Sequence, residues 1–303
     1  MRDMEPPGPL APPAFAVRAA VRRSLAEDLT PLGDLTSALL GPGVSARATF
    51  VPRAAGVLAG TACATEAFAQ LDATVAVEWS AADGDAVTAG QGVGRVEGPL
   101  ASLLGAERTA LNLLGHLSGV ATFTARYVEA ARASGGSARI WDTRKTTPGL
   151  RALEKAAVRA GGGSNHRGNL SDWVLLKDNH LARLEIADAV SRARDRWPGR
   201  TVHVECDRSD QVVEALAAGA DAVLLDNMTP AEVRACVALA DSDVARGHRS
   251  RRVLLEVSGG VTLESVADYA VTGVDMISVG AITNSAPVLD IGLDIGLDIE
   301  RAD

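Results

Sequence analysis

Aromatic side chains are scarce: Phe, Trp and Tyr together make up 3% of the 303 residues. With 47% hydrophobic residues overall, the interior must be built from Ala, Val and Leu instead of rings. Cysteine is also sparse. Cys63, Cys206 and Cys236 are odd in number, far apart and form no C-x-x-C, which argues against a disulfide framework or a thiolate zinc site. They predict buried thiols in a reducing cytoplasm. No apolar run approaches the roughly 18 residues that a spanning helix needs, so no membrane span is expected. An excess of positive charge is missing too, since the formal net charge is −8. That balance excludes a general nucleic-acid or membrane-surface role, because both need a net basic face. The start, MRDMEPPGPLAPPAF, has many prolines and no apolar h-region, so no signal peptide is expected.

What is present is strongly patterned. Residues 1–13 are proline-rich and read as a disordered or loosely docked arm. FAVRAAVRRSLAEDL spaces Phe15, Val17, Ala20, Val21 and Leu25 as one helix face, and the pre-proline Thr30 predicts its end. Between Ala46 and Leu100, short alternating runs flank a helical ATEAFAQL and predict a small twisted sheet. A GD-x-V-x-x-GQ rhythm like that of lipoyl carriers occurs there, but no lysine lies between Gly84 and Leu100 to bear a prosthetic group. ASLLGAERTALNLLGHLSGVATFTARYVEAARAS predicts one or two helices. The ending LDIGLDIGLDIE repeats every four residues and reads as a terminal helix.

From residue 138 the rhythm changes. Apolar runs recur in ARIWDTRK, DWVLLKDNH, TVHVECD, DAVLLDN, VLLEVSGG and DMISVGA, each followed by a helical segment. Such runs predict parallel strands covered by helices, hence an α/β fold and a β/α barrel, complete or open. A doubly wound sheet is the structural rival. In a barrel the residues just past the strand ends line the active face. Here they are Asp142-Thr143-Arg144-Lys145, Lys177-Asp178-Asn179-His180, Glu205 and Asp207, Asp226-Asn227, Ser258-Gly259-Gly260, and Gly280.

That set sorts by charge. Arg144, Lys145, Arg167 and Lys177, with His166, suit a compact polyanion, and arginine forks pair with carboxylates in a bidentate way. Glu205 and Asp226 form an acidic pair that would hold Mg²⁺, directly or through water, or accept from sugar hydroxyls. The glycine turns after the last two strands offer backbone N–H groups to a phosphate. Together they describe a phosphoribosyl donor meeting a small acid. A Schiff-base aldolase using Lys177 is the rival from another class, but nothing else supplies its acid–base set. A non-catalytic interaction protein would not need the constellation.

The motifs DTRKTTPGLRALEK, GGGSNHR, LKDNH, VECD, LLDNM, EVSGGV and ISVGA, with ERTALN and EDLTPLGDLTS upstream, resemble quinolinate phosphoribosyltransferase from about Arg18 to Leu293. The resemblance implies an open β/α barrel at 119–284 and an N-terminal α/β sandwich domain at 1–118, with the terminal helix 285–303 packed on the sandwich. It implies a cytoplasmic homodimer with shared sites, quinolinate and phosphoribosyl pyrophosphate as substrates, Mg²⁺, and NAD biosynthesis as the setting. Residue by residue, Arg144, His166, Arg167 and Lys177 would hold the two carboxylates, with Thr143 and Asn284 in the same substrate-binding set. Arg108 would reach in from the partner subunit and Lys145 would lie by the pyrophosphate. Lys177, Glu205 and Asp226 would be catalytic, the two acids also facing ribose and metal. Ser258, Gly259, Gly260, Ser278 and Gly280 would receive the 5′-phosphate. Asn284 stands where many members carry histidine. A related phosphoribosyltransferase acting on another aromatic acid is the alternative.

Overall fold

The computed structural model describes residues 11–40, 43–248 and 250–296. In chain order the elements begin with α1 (Ala14–Leu29), β1 (Ser45–Pro52), β2 (Gly56–Val57), α2 (Thr61–Leu71), β3 (Ala76–Trp79), β4 (Ala86–Val87), β5 (Gly94–Pro99) and α3 (Leu100–Ala133). Next come β6 (Arg139–Trp141), α4 (Arg151–Ala160), β7 (Val174–Leu176), α5 (Asp178–Leu181), α6 (Ile186–Arg196), β8 (Val202–Cys206) and α7 (Ser209–Ala217). Then follow β9 (Ala222–Asp226), α8 (Pro230–Ala245), β10 (Leu254–Ser258), α9 (Val266–Ala270), β11 (Met276–Ser278), α10 (Ala281–Asn284) and β12 (Ile291–Gly296). Two compact units result. The first holds Met1–Ala125, Thr146–Gly162 and Ala281–Asp303, and the second holds Arg126–Lys145 and Gly163–Gly280.

The first unit is built on an antiparallel sheet of order β12-β1-β5-β3. Alternation in SARATFVP turns Ala46, Ala48 and Phe50 inward. Three of the chain's ten aromatic side chains meet here: Phe50 stacks on Trp79 at 4.7 Å and meets Phe68 of α2 edge-on at 6.2 Å. α1 ends at Leu29, before Thr30-Pro31, as its sequence predicts. Residues 146–162, between β6 and β7, also belong to this unit. Its Glu154 is fully buried, with one oxygen 2.8 Å from His116 Nε2 and the other accepting the Thr147 N–H at 3.1 Å.

The terminal helix does not form over the described part of the ending. Residues 291–296 are a strand that pairs antiparallel with β1, from Ile291 opposite Pro52 to Gly296 opposite Arg47. A period of four fits a strand as well as a helix, because four is a multiple of two. Gly292 and Gly296 each disfavour helix by about 1 kcal/mol, whereas β-branched Ile291 and Ile295 favour the pleat. An Arg53–Asp294 ion pair bridges the two strands. Residues 297–303 of the expected helix, and 1–10 of the expected arm, lie outside the described residues.

The predicted one or two helices between 100 and 134 are a single helix, α3, of 34 residues. Its Gly115 and Gly119, one turn apart, admit the backbone that leads into β12. Leu289 N–H donates to the Gly115 carbonyl at 3.0 Å, and a Cβ on Gly119 would overlap the Pro287 carbonyl.

The second unit is a parallel sheet of order β6-β11-β10-β9-β8-β7. Each successive strand from β7 to β11 is added on the same side, and β11 then pairs with β6. A doubly wound sheet would reverse direction at a switch point. This one does not reverse, so it is a barrel, open between β6 and β7. Asp221 and Asp275, in the similar segments GADAVLL and GVDMISV, accept the N–H of Val202 and of Leu255, each at 2.8 Å. These bonds fix neighbouring strands at the end remote from the site.

Replacing Gly119 by Ala should lower stability by about 1–3 kcal/mol, since the overlap is with main chain and not with a movable side-chain tip. Equilibrium urea unfolding checks this. An unchanged midpoint would mean that the 287–289 backbone does not rest on α3 in solution.

Candidate active site

Alternation and register place the polar residues of the barrel strands. Glu205 pairs with Leu224, Leu224 with Glu256 and Glu256 with Met276; two residues on, Asp226 pairs with Ser258 and Ser258 with Ser278. His203 and Glu205, Glu256 and Ser258, and Leu224 and Asp226 therefore share one face. That face is concave, because side chains from non-adjacent strands meet on it. His203 Nε2 on β8 is 3.4 Å from Glu256 Oε2 on β10, with β9 between them. Glu205, Asp226 and Ser258 lie at the C-terminal ends of their strands, where the sequence places the site.

The GGGSNHR segment, which has no apolar run, turns out to extend the barrel beside β6. Ser164 N–H donates to the Ile140 carbonyl at 2.8 Å, and Asp142 N–H donates to the Ser164 carbonyl at 3.0 Å. Asp142 is fully buried and accepts from the His166 N–H at 2.8 Å and from Asn165 Nδ2 at 2.7 Å. These bonds deliver His166 and Arg167 to the barrel mouth. His166 packs edge-on against Trp173 with centroids 4.7 Å apart, and Arg167 Nη1 reaches the Trp173 carbonyl at 3.4 Å.

Cations and acids are interleaved here. Arg167 is buried, and burial first, then the neighbouring Arg144 charge, lowers its pKa from the usual value. Two guanidiniums thus face the same space. Lys177 Nζ is hydrogen-bonded to Glu205, so a cation and an acid of the expected set hold each other. Asp226 accepts from Asn227 Nδ2 at 2.7 Å. Asn227 adopts a left-handed φ of 56°, and its N–H donates to the Ser258 carbonyl at 2.9 Å, which locks the β9 and β10 loops together. Gly259, at φ 93°, is required there, because a Cβ would overlap the Asn227 amide. On the far side a Cβ on Gly280 would come 2.9 Å from Lys145 Cδ and 3.6 Å from Thr143 Oγ1, so the ends of β6 and β11 also meet.

The second unit therefore brings together Thr143, Arg144, Lys145, His166, Arg167, Lys177, Glu205, Asp226, Ser258, Gly259 and Gly280, with Gly260 next in the chain. Arg108 and Asn284 belong to the first unit. Ser278, expected among the phosphate-binding residues, is buried, and its hydroxyl donates to Glu256.

Sequence inspection passed over Glu256 and His203. Both are polar residues inside apolar strands, two positions before Ser258 and Glu205, and that placement was the available signal. His166, His203 and Glu256 offer donor atoms within 4.8 Å of one another. Burial holds the His203 imidazole down at about 4, so it is neutral. Burial raises the Glu256 carboxyl, but the hydrogen bonds from His166 and Ser278 and the neighbouring imidazoles together outweigh that and leave it below the ordinary value. The cysteines are buried free thiols, with burial pushing Cys63 and Cys206 up to about 12. Among the described residues no helix is long and apolar enough to cross a membrane.

Residues 34–118 match the family description "Quinolinate phosphoribosyl transferase, N-terminal domain" and residues 120–294 match its C-terminal domain. The chain is 43% identical over 287 residues to a nicotinate-nucleotide pyrophosphorylase [carboxylating] of Mycobacterium leprae, covering 92% of this chain and 97% of that one. It is 36% identical over 310 residues to a quinolinate phosphoribosyltransferase [decarboxylating] of Nicotiana glauca, covering 96% of this chain and 85% of that one. The solved nicotinate-nucleotide pyrophosphorylase of Francisella tularensis superposes with a TM-score of 0.87 at 38% identity, covering 94% and 97% of the two chains.

The buried neutral His203 makes a pH prediction. Its folded pKa of about 4 lies below the unfolded 6.5, so the unfolded chain binds more protons between these values. Stability should therefore fall as pH drops from about 6.5 towards 4.5, by on the order of 2–3 kcal/mol from this group. His203→Gln should flatten that limb in urea unfolding at a series of pH values. Parallel pH curves for the two proteins would show that His203 is not the group responsible.

Proposed function

The chain belongs to the quinolinate phosphoribosyl transferase family, and from that premise we propose that it joins quinolinate to phosphoribosyl pyrophosphate. The products are nicotinate mononucleotide, pyrophosphate and CO₂, a step of NAD biosynthesis. One observation carries the proposal: two mutually repelling arginines stand at the mouth of the same barrel as the Lys177–Glu205 pair and the interlocked Asp226-Asn227 and Ser258-Gly259 loops. That combination suits a diacid beside a sugar phosphate.

Arg144, Arg167 and His166 bind the two carboxylates and fix the ring nitrogen on line with the ribose carbon, so positioning supplies much of the acceleration. As pyrophosphate departs, positive charge develops on that carbon, and the carboxylates of Glu205 and Asp226 stabilise it. The ring nitrogen's lone pair bonds to that carbon in place of pyrophosphate and the ring becomes a pyridinium. The adjacent carboxylate leaves as CO₂, its bonding pair stays on the ring carbon beside N⁺, and a proton completes the product. Lys177, next to Glu205, shields the charge that forms there. Lys145 and Thr143 serve the pyrophosphate side, and the N–H groups around Ser258, Gly259, Gly260 and Gly280 hold the 5′-phosphate.

Glu205 and Asp226 are oxygen donors on adjacent strands, and Asp226 keeps an oxygen beyond its bond to Asn227. Such a set fits a hard cation like Mg²⁺. When bound, Mg²⁺ would offset the charge of the leaving pyrophosphate. We read the protein as cytoplasmic, in keeping with its three free buried thiols. We also read it as a homodimer in which Arg108 serves the partner's barrel and Asn284 contributes to the acid pocket.

Incubation with quinolinate, phosphoribosyl pyrophosphate and Mg²⁺ should release CO₂ and nicotinate mononucleotide. A product formed only from another aromatic acid would favour the paralogous activity instead. Arg144→Lys and Arg167→Lys should each lose the bidentate contact, worth about 2 kcal/mol or more, and so reduce kcat/KM for quinolinate roughly 30-fold. Kinetics like wild type in both variants would rule out the carboxylate clamp.

Shared sites make a further prediction. Arg108→Ala and Lys177→Ala should each be nearly inactive. Unfolded together and refolded, half of the dimers are mixed, and one of the two sites in each mixed dimer carries no lesion. Roughly a quarter of wild-type activity should return. A mixture that stays inactive, with dimers confirmed by size, would show that Arg108 serves its own barrel.

A further inference from the structure

The chemistry above leaves one strongly polar group unused. Glu256 lies in the middle of β10, is 1% exposed and faces the barrel interior. Its Oε2 is 3.2 Å from His166 Nε2 and 3.4 Å from His203 Nε2, and its Oε1 accepts from the Ser278 hydroxyl. One carboxylate on β10 thus bonds residues from β11 and the segment beside β6 and lies close to His203 of β8, whose ring nitrogens make no hydrogen bond among the described residues. A buried charge is expensive unless it is fully hydrogen-bonded, and removing a partner from such a network is costly.

We propose that Glu256 is a positioning residue for acid recognition: its carboxylate accepts the His166 Nε2–H and so turns the ring, protonated on both nitrogens in the complex, to offer Nδ1–H to a substrate carboxylate. The inference rests on the reading of His166 as a contact to the acid. Other bonds decide where His166 sits. Its N–H donates to Asp142, and Trp173 lies edge-on to the ring. Neither contact chooses which ring nitrogen carries the proton. Glu256 does, because an ionised carboxylate only accepts, so Nε2 must donate. The hydrogen bonds and charge around Glu256 keep it ionised despite its burial. The Ser278 hydroxyl takes the second oxygen and stops the carboxylate from rotating away.

A competing role gives the opposite sign. If Glu256 only balanced the charge of Arg144 and Arg167, removing its charge would leave the site more positive and tighten binding of a diacid. If it acts through His166, the same change weakens binding. Glu256→Gln, His166→Ala and the double variant separate these, with KM for quinolinate and for phosphoribosyl pyrophosphate measured independently of kcat. Glu256→Gln should raise the quinolinate KM about tenfold or more, the cost of weakening a hydrogen bond to a charged group. The donor KM should stay close to wild type. In the His166→Ala background the same change should add nothing, because the two residues act as one unit.

A lower quinolinate KM in Glu256→Gln, or additive effects in the double variant, would overturn the inference. A weakened His166→Ala enzyme beside an unaffected Glu256→Gln would also overturn it while leaving the acid-contact reading intact. An unaffected His166→Ala would remove both. ¹⁵N NMR of the wild-type imidazoles tests the point whether or not the variant folds. A protonated His166 Nε2 is expected, and a bare Nε2 would overturn the inference.

Discussion

Two guanidiniums that oppose each other's charge, those of Arg144 and Arg167, set the terms for the rest of the second unit. Like charges held together in a partly buried space raise the energy of the free protein, and a doubly charged anion relieves it. The surroundings keep the arrangement tolerable without a ligand. Asp172, Glu205 and Glu256 all act on Arg167 in the stabilising direction. Each of these acids is held in turn: Asp172 accepts the Gly168 N–H at 2.6 Å, Glu205 bonds Lys177, and Glu256 bonds Ser278 and His166. The site is an interleaved lattice of charges in which few members could change sign without exposing another.

That lattice needs a rigid frame, and backbone geometry provides it. The β9 and β10 loops are tied by Asn227 in a left-handed conformation that only a short polar side chain or glycine adopts readily. Gly259 is held to glycine by space as well as by φ. Behind the site, Asp142 pins the segment that carries His166 and Arg167 through bonds to both Asn165 and the His166 N–H. Sites supported in this way are positioned by fixed elements, so little reorganisation accompanies charge development.

The first unit follows a different economy. Its aromatic residues concentrate around Phe50, and its helix α3 uses Gly115 and Gly119 to accept a returning backbone where side chains would not fit. The returning segment ends as an edge strand on β1. His116 is paired within this unit with the buried Glu154.

Much of this was legible along the chain. The α1 helix, the small sheet, the parallel strands and the polar residues at their ends follow from period, apolar runs and turn chemistry, because those are local properties. The gathering of Arg144, Lys145, Arg167, Lys177, Glu205 and Asp226 at one end of the strands could be expected from residue type and strand position alone. The barrel was not separable from a doubly wound sheet until β11 was seen beside β6, since strand order is a long-range fact. LDIGLDIG could be helix or strand by its period, and the free edge of β1 made it a strand. Residue order also could not tell that Ser278 turns to Glu256, or that His166, His203 and Glu256 share one buried point. Contacts among residues up to 90 positions apart depend on how the sheet closes. The sequence by itself determined which chemistry was available; the tertiary structure decided which partner each charge received, because pairing energies fall off within a few ångströms.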